Sequence, residues 1–560
     1  MDIAGKSVLI LGGYGLVGQA VARRLVRERP RQMTLLSLRR EEAEEAVREL
    51  APESEGVALA AAWGDIFTFS DVKDEPRREL YQRADFRTRV IESLLDPLSE
   101  EAAAEYHLHQ LITERRPDVI VDAVNTATGI AYQDIYKTNR EAHAALKSGG
   151  SLRESLETLL VTDYVPQLIR HVQVLYQAMV KAQTGVYIKI GTSGTGGMGL
   201  NIPYTHSEEK PSRVLLSKSA LAGAHTLLLF LMARTPEGPI TKEIKPAAAI
   251  AWKRIGHGEI LRGGRPVPLF DVDPAAAEPL LPGTVFRPHD PRYGKPTGET
   301  LRSVFIDTGE NGIFSLDEFS AITTGEQMEF VTPEEIADVV AREIMGGNTG
   351  RDVINALDNA VMGPTYRAGL MRHWALEKLR RLEEEHQVRS VAFENLGPPR
   401  LSKLLHEADL LRRVHRTMGR VAKSSPADLS RALAEAIVKT PSLRREIVSI
   451  GIPILLPDGR LLRGPETKIP PPSGGEAPEV TPERVEAWAR AGWVDLREAN
   501  MATWQARFQA IEAEMDAIPA ADSSSRYLRD RQFWGEEGRI QPGKVVGWIF
   551  ATEEKGARMK

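Results

Sequence analysis

Val8-Leu9-Ile10-Leu11-Gly12-Gly13-Tyr14-Gly15-Leu16-Val17-Gly18 is the stretch that decides the fold. Its four opening apolar residues read as a buried strand, and Val17, Val21 and Leu25 then recur at helical spacing on one face. Between strand and helix, Gly12, Gly15 and Gly18 stand in a GxxGxxG spacing, with Gly13 beside them. One glycine makes the tight turn, one lets backbone approach a pyrophosphate, and one permits close helix–strand packing. The helix start adds unpaired N–H groups and the positive end of a dipole, both suited to phosphate. Strand, glycines and helix in this order predict a dinucleotide site built from Gly12, Gly13, Tyr14, Gly15, Leu16, Val17 and Gly18.

Working outward, Met33–Leu38 reads as a second strand. In NAD-specific sites an acidic residue about 20 positions past the glycines bonds the ribose 2′-hydroxyl. Here that place holds Ser37, Leu38, Arg39 and Arg40. A guanidinium pair suits a 2′-phosphate by charge and fork geometry, so NADP(H) is expected over NAD(H). Further strands are predicted at Val57–Ala62, Asp118–Val124, Val186–Ile190 and Ile240–Ile244, with helical inserts near 70–116 and 134–160. Strands alternating with helices imply an α/β fold with a doubly wound parallel sheet and ligand at the carboxyl ends of the strands. That puts Asp65 and Ile66 after the third strand, and Ala123, Val124 and Asn125 at the end of the fourth, on the cofactor's path.

The fifth strand runs into Gly191-Thr192-Ser193-Gly194-Thr195-Gly196-Gly197-Met198-Gly199, then Tyr204 and Ser217-Lys218. With the glycine turn and Gly64-Asp65, this series resembles the extended short-chain dehydrogenase/reductase family, which includes nucleotide-sugar epimerases and dehydratases. The resemblance covers roughly residues 1 to 375. It implies a polarising role for Ser193, a ribose contact for Lys218, and a loop along Pro246 to Ala248 that passes the nicotinamide carboxamide. One departure stands out. Four residues before Lys218, where the family keeps its proton-exchanging Tyr, this chain has Val214. Valine neither donates nor accepts a proton. The acid/base could have moved, with Tyr204 the nearest candidate. Alternatively, hydride transfer needs only Ser193, Thr192 or water, or the fold binds its cofactor without turning it over. The leading expectation is an NADP(H)-dependent oxidoreductase acting on a carbonyl or its alcohol. A bound-cofactor epimerase or dehydratase and a non-catalytic NADP(H) sensor are the alternatives.

Composition narrows the class. The 560 residues are 42% hydrophobic and 27% charged, with a formal net charge of −5, as in ordinary globular proteins. This gives no reason to expect nucleic acid. With no cysteine there are no disulfides, thiolate nucleophiles or Cys-based zinc sites. Apolar runs such as Leu227–Ala233 read as too short to span a bilayer, and the expected setting is cytoplasmic. The expected partners are a small-molecule substrate and, possible for this fold, a second copy of the chain.

Downstream, residues 250–330 are expected to cover the substrate, with His257, Arg262, Arg265, Arg287, His289 and Arg292 as candidate anion contacts. Asp307–Phe319 faintly echoes a calcium loop, but Gly309 stands where a ligand is needed, so a turn between strands is favoured. Thr332-Pro333-Glu334-Glu335 is a capping box that launches a helix. Residues 376–560 read as a mainly helical extension with a Pro/Gly-rich linker at 457–482, a helix over Pro482–Ile518 and a strand at Lys544–Phe550. The isolated histidines show no metal-ligand spacing.

Overall fold

A computed structural model describes residues 1–131, 135–148, 152–191, 213–235, 237–246, 249–262, 264–309, 312–324, 330–355, 361–395, 399–469, 478–522, 524–535 and 537–553. The chain forms two units. Met1–Gly199, Pro211–Ala251 and Glu329–Ala368 make one; Trp252–Met328 and Gly369–Lys560 belong to the other.

The first unit holds one parallel sheet. Its strands are β1 (Ser7–Leu11), β2 (Gln32–Ser37), β3 (Ala58–Trp63), β4 (Val119–Asp122), β5 (Val186–Ile190) and β6 (Ile240–Pro246). A two-residue seventh strand, Val361–Met362, lies parallel to β6. The order is β3-β2-β1-β4-β5-β6 and then the seventh strand, so direction of winding reverses between β1 and β4. A ligand crevice is expected at that switch point. Residues 8–11 are fully buried because helices cover both faces, as a parallel sheet requires. One face packs α1 (Leu16–Val26) and, among others, the capped helix Pro333–Ile344 around Val8, Ile10, Val21 and Leu25. The other face packs the helices His107–Arg115, Tyr164–Ala182 and Arg213–Ala233 around Leu9, Leu11, Ile120 and Tyr187. Thr332 and Glu335 close the capping box in both directions, as expected from the sequence.

Helix Arg213–Ala233 departs from expectation. Its stretch Leu216–Ala233 is long and apolar enough to cross a membrane by length and composition, contrary to the reading of short apolar runs. Lys218, Ala222, His225 and Leu229 recur on its buried face, whereas Leu216, Leu227 and Leu231 are exposed.

In the second unit Trp252–Met328 groups with Gly369–Lys560. Within the first of these segments Arg254–Glu259 pairs antiparallel with Arg302–Asp307 and Pro268–Asp271 with Lys295–Thr300, while one strand and part of the core are shared with the C-terminal region. Glu278–Pro279 pairs antiparallel with Arg460–Leu462, and Phe286 packs on Trp488 and Trp493 at 5.4 and 5.6 Å between ring centroids. The expected linker is therefore partly ordered sheet. Asp458-Gly459, with Gly459 at φ +83°, turns Ile454–Leu455 back onto Arg460–Leu462, an Asp-Gly hairpin signal hidden among prolines. Pro482–Ile518 is two helices, Pro482–Gly492 and Glu498–Asp516, parted by the strand Val494–Asp495. Lys544–Phe550 is no strand but lies within helix Pro542–Glu553. Short apolar runs do not separate the two states, and here Val545, Val546 and Ile549 are buried at helical spacing. The calcium-like stretch is a turn between antiparallel partners Asp307 and Ile313. Glu318 there is buried, accepting the N–H groups of Ser315 and Phe393; Glu310 and Asn311 lie outside the described residues.

Candidate cofactor and active site

The glycine turn is shaped by close approach. Gly12 has φ +81°, and a Cβ there would lie 3.2 Å from the Ala123 carbonyl carbon, just past β4. A Cβ on Gly13 would meet Leu35 Cβ at 2.9 Å, and one on Gly18 the Gly12 oxygen at 2.1 Å. Gly15 sits in extended conformation at the N-cap of α1 with no side-chain cap. Leu16 and Val17 open the helix, so its first turn presents backbone to the crevice at the switch point. Ser37 is buried, and its Oγ accepts the Tyr14 N–H at 3.1 Å, bracing the turn from the end of β2.

Past the end of β2 the two arginines differ. Arg40 is committed to Glu44 at 2.7 Å and stands over the Trp63 ring at 5.0 Å. Arg39, the N-cap residue of helix Arg40–Leu50, is exposed. Asp65 is buried; one oxygen accepts the Phe67 N–H at 2.9 Å and the other faces Arg77 Nε at 2.7 Å, and Ile66 beside it is buried.

Past β4, the Ala123 N–H donates to the Leu11 carbonyl at 2.9 Å and the Val124 N–H to Asp122 Oδ1 at 2.9 Å. The Asn125 carbonyl accepts the Gly129 N–H. Pro246 ends β6 opposite Met362. Lys218 shares the buried, sheet-directed face of its helix with His225. Ser193, Tyr204 and Ala248 lie outside the described residues, as does the side chain of Val214.

A feature unread in the sequence lies at the same strand ends. Asp122, Lys189 and Glu243 stand in register across β4, β5 and β6, all on one face of the sheet and all buried. Lys189 Nζ contacts Asp122 Oδ2 at 2.9 Å and Thr126 Oγ1 at 3.1 Å. The Tyr187 hydroxyl donates to Asp122 Oδ2 at 2.8 Å; burial, then the Asp122 charge, push its pKa well up. Lys245 Nζ meets Glu243 Oε1 at 3.0 Å. His171 and His225 complete the cluster from the covering helices, with burial holding the first down to about 4 and the second well below its usual value. A signal was present: Val186-Tyr187-Ile188-Lys189-Ile190 and Thr241-Lys242-Glu243-Ile244-Lys245 place charges inside strands that should be apolar on both faces.

The second unit has a separate cavity of about 430 Å³ lined by charged groups that include Asp317, Glu383, Arg389 and Arg412. Arg389 binds both carboxylates there, and burial pushes Asp317 up to about 7. Four of the six expected anion contacts are internally engaged: Arg262 donates to the Phe393 and Ile450 carbonyls, Arg292 pairs with Asp290, His289 with Glu466, and His257 stacks on His386 at 4.1 Å.

Strand order, glycine turn and helix N-terminus define a Rossmann-like α/β fold. The family model for the beta-methylindole-3-pyruvate reductase C-terminal domain matches residues 269–554, just over half of the chain. The chain belongs to that family. No curated protein matches. Similar solved structures include Pen from Bacillus thuringiensis, 10% identical over 62% of this chain and 68% of that one, at TM-score 0.28. Others are a short-chain dehydrogenase from Sphingobium yanoikuyae in complex with NADPH (17%, covering 44% and 71%, TM-score 0.23) and a short-chain dehydrogenase/reductase from Serratia marcescens (14%, 61% and 91%, TM-score 0.27). At such TM-scores these likenesses carry no argument, and the fold rests on the strand order.

Proposed function

We propose that the protein is an NADP(H)-dependent oxidoreductase of the short-chain dehydrogenase/reductase type that reduces a carbonyl substrate, with a non-standard acid/base. The observation that carries this reading is the uncapped helix start behind Gly12–Gly18, at the point where strand order reverses. The Gly12–Gly18 backbone fits a diphosphate because three of its glycines leave no room for a side chain. Arg39 suits a 2′-phosphate, Asp65 and Ile66 the adenine, Val124, Asn125 and Lys218 the nicotinamide ribose, and Pro246 the carboxamide, by resemblance to the family. The bound reduced nicotinamide would supply hydride. The protein's part is orientation and the proton. The family's name speaks of a reductase for beta-methylindole-3-pyruvate, so a 2-oxo acid is the first substrate class to try. The exposed Leu216, Leu227 and Leu231 of helix Arg213–Ala233 favour burial against a second copy of the chain. Val214 keeps the non-catalytic binder as a second reading.

The test is NADPH binding by fluorescence or thermal shift, followed by NADPH oxidation against 2-oxo acids, aldehydes and ketones. Saturable binding with turnover of at least one substrate is expected. No response to NADPH or NADH at millimolar concentration would overturn the reading.

A further inference from the structure

The row of charged residue types at the ends of β4, β5 and β6 is buried, and such burial is unfavourable. Taking a charge out of water costs several kcal/mol, recovered only where partners are well placed. Here one region of the cluster is left incomplete. Among the described residues Glu243 Oε2 and His225 Nε2 are both buried without a hydrogen-bond partner, and Glu243 and His225 are 1% and 4% exposed. Both residues line a cavity of about 10 Å³ shared with Lys189, Lys245, Thr126 and Asn125, the size of a single water molecule. Gly191, the last residue of this segment before Thr192, is shaped around the same pair. A Cβ there would lie 2.3 Å from Glu243 Oε1 and 3.3 Å from Lys245 Nζ. The Glu243–Lys245 pair thus abuts the point where β5 ends and the Thr192-Ser193 stretch begins.

We propose that Lys245 delivers the proton to the substrate oxygen in this chain, held by Glu243 and backed by a water in the cavity between Glu243 and His225. This rests on the oxidoreductase reading above and supplies what Val214 removes from it. A lysine ammonium carries three donors and a proton that a neighbouring carboxylate keeps in place. During reduction the Lys245 Nζ–H bond breaks and an O–H bond forms on the substrate, while the carbonyl carbon takes hydride from the reduced nicotinamide. Nζ then regains a proton from solvent, so one hydride and one proton account for the alcohol's two new hydrogens. The charged and titratable groups facing the pair are Asp122 and Lys189 from the neighbouring strands, His225 and His171 from the covering helices, and Asp352, whose Oδ1 accepts the Glu243 N–H at 3.1 Å. His225 stays neutral at physiological pH because burial, Lys189, His171 and Lys245 all oppose its protonation. A neutral imidazole can accept from that water on one face of the cavity.

The test uses the full chain with Lys245→Gln and Glu243→Gln. Both variants should bind NADPH within about twofold of the parent, since neither touches the diphosphate turn. Lys245→Gln should lose turnover by about 10²- to 10⁴-fold, the usual weight of general acid catalysis. Glu243→Gln should retain more activity but lower kcat about tenfold with KM within about twofold, because the ammonium loses the carboxylate that positions it. A merely structural ion pair would leave kcat unchanged. A crystal structure of the parent should show a water between Glu243 Oε2 and His225 Nε2; a dry or collapsed cavity would overturn the proposal whatever the turnover. Equal turnover in Lys245→Gln would also overturn it. So would a parent that binds NADPH yet reduces no member of the substrate panel, which leaves the cofactor reading standing. A parent that fails to bind NADPH overturns both.

Discussion

Two stretches of one sheet edge solve opposite problems. At the end of β1 the turn from Gly12 to Gly18 has no ionisable side chain but Tyr14, and works through backbone dipoles and absent Cβ atoms. At the ends of β4, β5 and β6, three charged side chains, Asp122, Lys189 and Glu243, crowd into a buried row. Backbone suffices to hold a phosphate, whose charge is already present and needs only oriented N–H groups. Moving a proton requires a titratable side chain, which must be buried beside partners if its reactivity is to be controlled. On the proposed reading, binding belongs to the first stretch and chemistry to the second.

The comparison breaks most severely at Gly18. Gly18→Val places carbon where 2.1 Å separates an ideal Cβ from the Gly12 oxygen, so the turn must open. NADPH affinity should fall by about 100-fold or more, worth roughly 2.7 kcal/mol. Fluorescence titration beside an unchanged far-ultraviolet circular dichroism spectrum reads this directly. Retained affinity would mean that phosphate is held elsewhere.

The next effect belongs to the charged row. Lys189→Met leaves Asp122 buried with only the Tyr187 hydroxyl and the Val124 N–H as partners. Breaking a buried pair in this way costs about 3–5 kcal/mol, readable as a lower urea midpoint. Asp122→Asn should be destabilising too, and the double variant less so than the two single losses added, because the partners share one interaction. Strict additivity would show that the row is not one network.

The two stretches also differ in how far they can be read from sequence. The turn is local: its strand, glycines and helix are contiguous, so Gly12 to Gly18 carry their meaning in spacing alone. Thr332 to Glu335 is legible for the same reason. The charged row is assembled by register, and nothing near Lys189 in sequence tells that Asp122 and Glu243 flank it. Its one local sign is the oddity of a lysine inside an apolar strand. Ser37 points to the ribose by its place in sequence, whereas the geometry gives its hydroxyl to the Tyr14 N–H. In the second unit, Lys544–Phe550 misleads because seven apolar-rich residues fit a strand as well as a buried helix. Within the 250–330 segment, Glu278–Pro279 is hard to read because its strand partner lies some 180 residues downstream at Arg460–Leu462.

A smaller effect tests the burial of the row through pH. Desolvation lowers His171 to about 4 against an ordinary 6.5, with the Asp122 charge opposing and Lys189 and Arg77 assisting. Between those values the unfolded chain binds more protons than the folded one, so stability is full above about 6.5 and is lost as pH falls toward 4. His107 and His406, also near 4, act in the same direction. His171→Phe, placed against Phe67 at the present 4.8 Å ring separation, should remove part of the acid-side loss, on the order of 2 kcal/mol between pH 7 and 4. Chemical denaturation at the two pH values measures it, and an unchanged difference would place His171 in contact with water.

The smallest effect separates two adjacent arginines at the quiet end of the site. Arg40 already commits its guanidinium to Glu44 and the Trp63 ring, while Arg39 stands exposed at the start of the helix. A 2′-phosphate can be met only by a group not otherwise engaged. Arg39→Ser should therefore weaken NADPH binding by about tenfold and leave NADH unchanged, as expected for one charge-assisted contact to phosphate. Arg40→Ser should alter either affinity by twofold or less. Titration of both variants with both coenzymes decides the matter. Equal weakening of NADH and NADPH by Arg39→Ser would mean that the arginine supports the turn and not the phosphate. The coenzyme preference would then have to come from the shape of the crevice beyond β2.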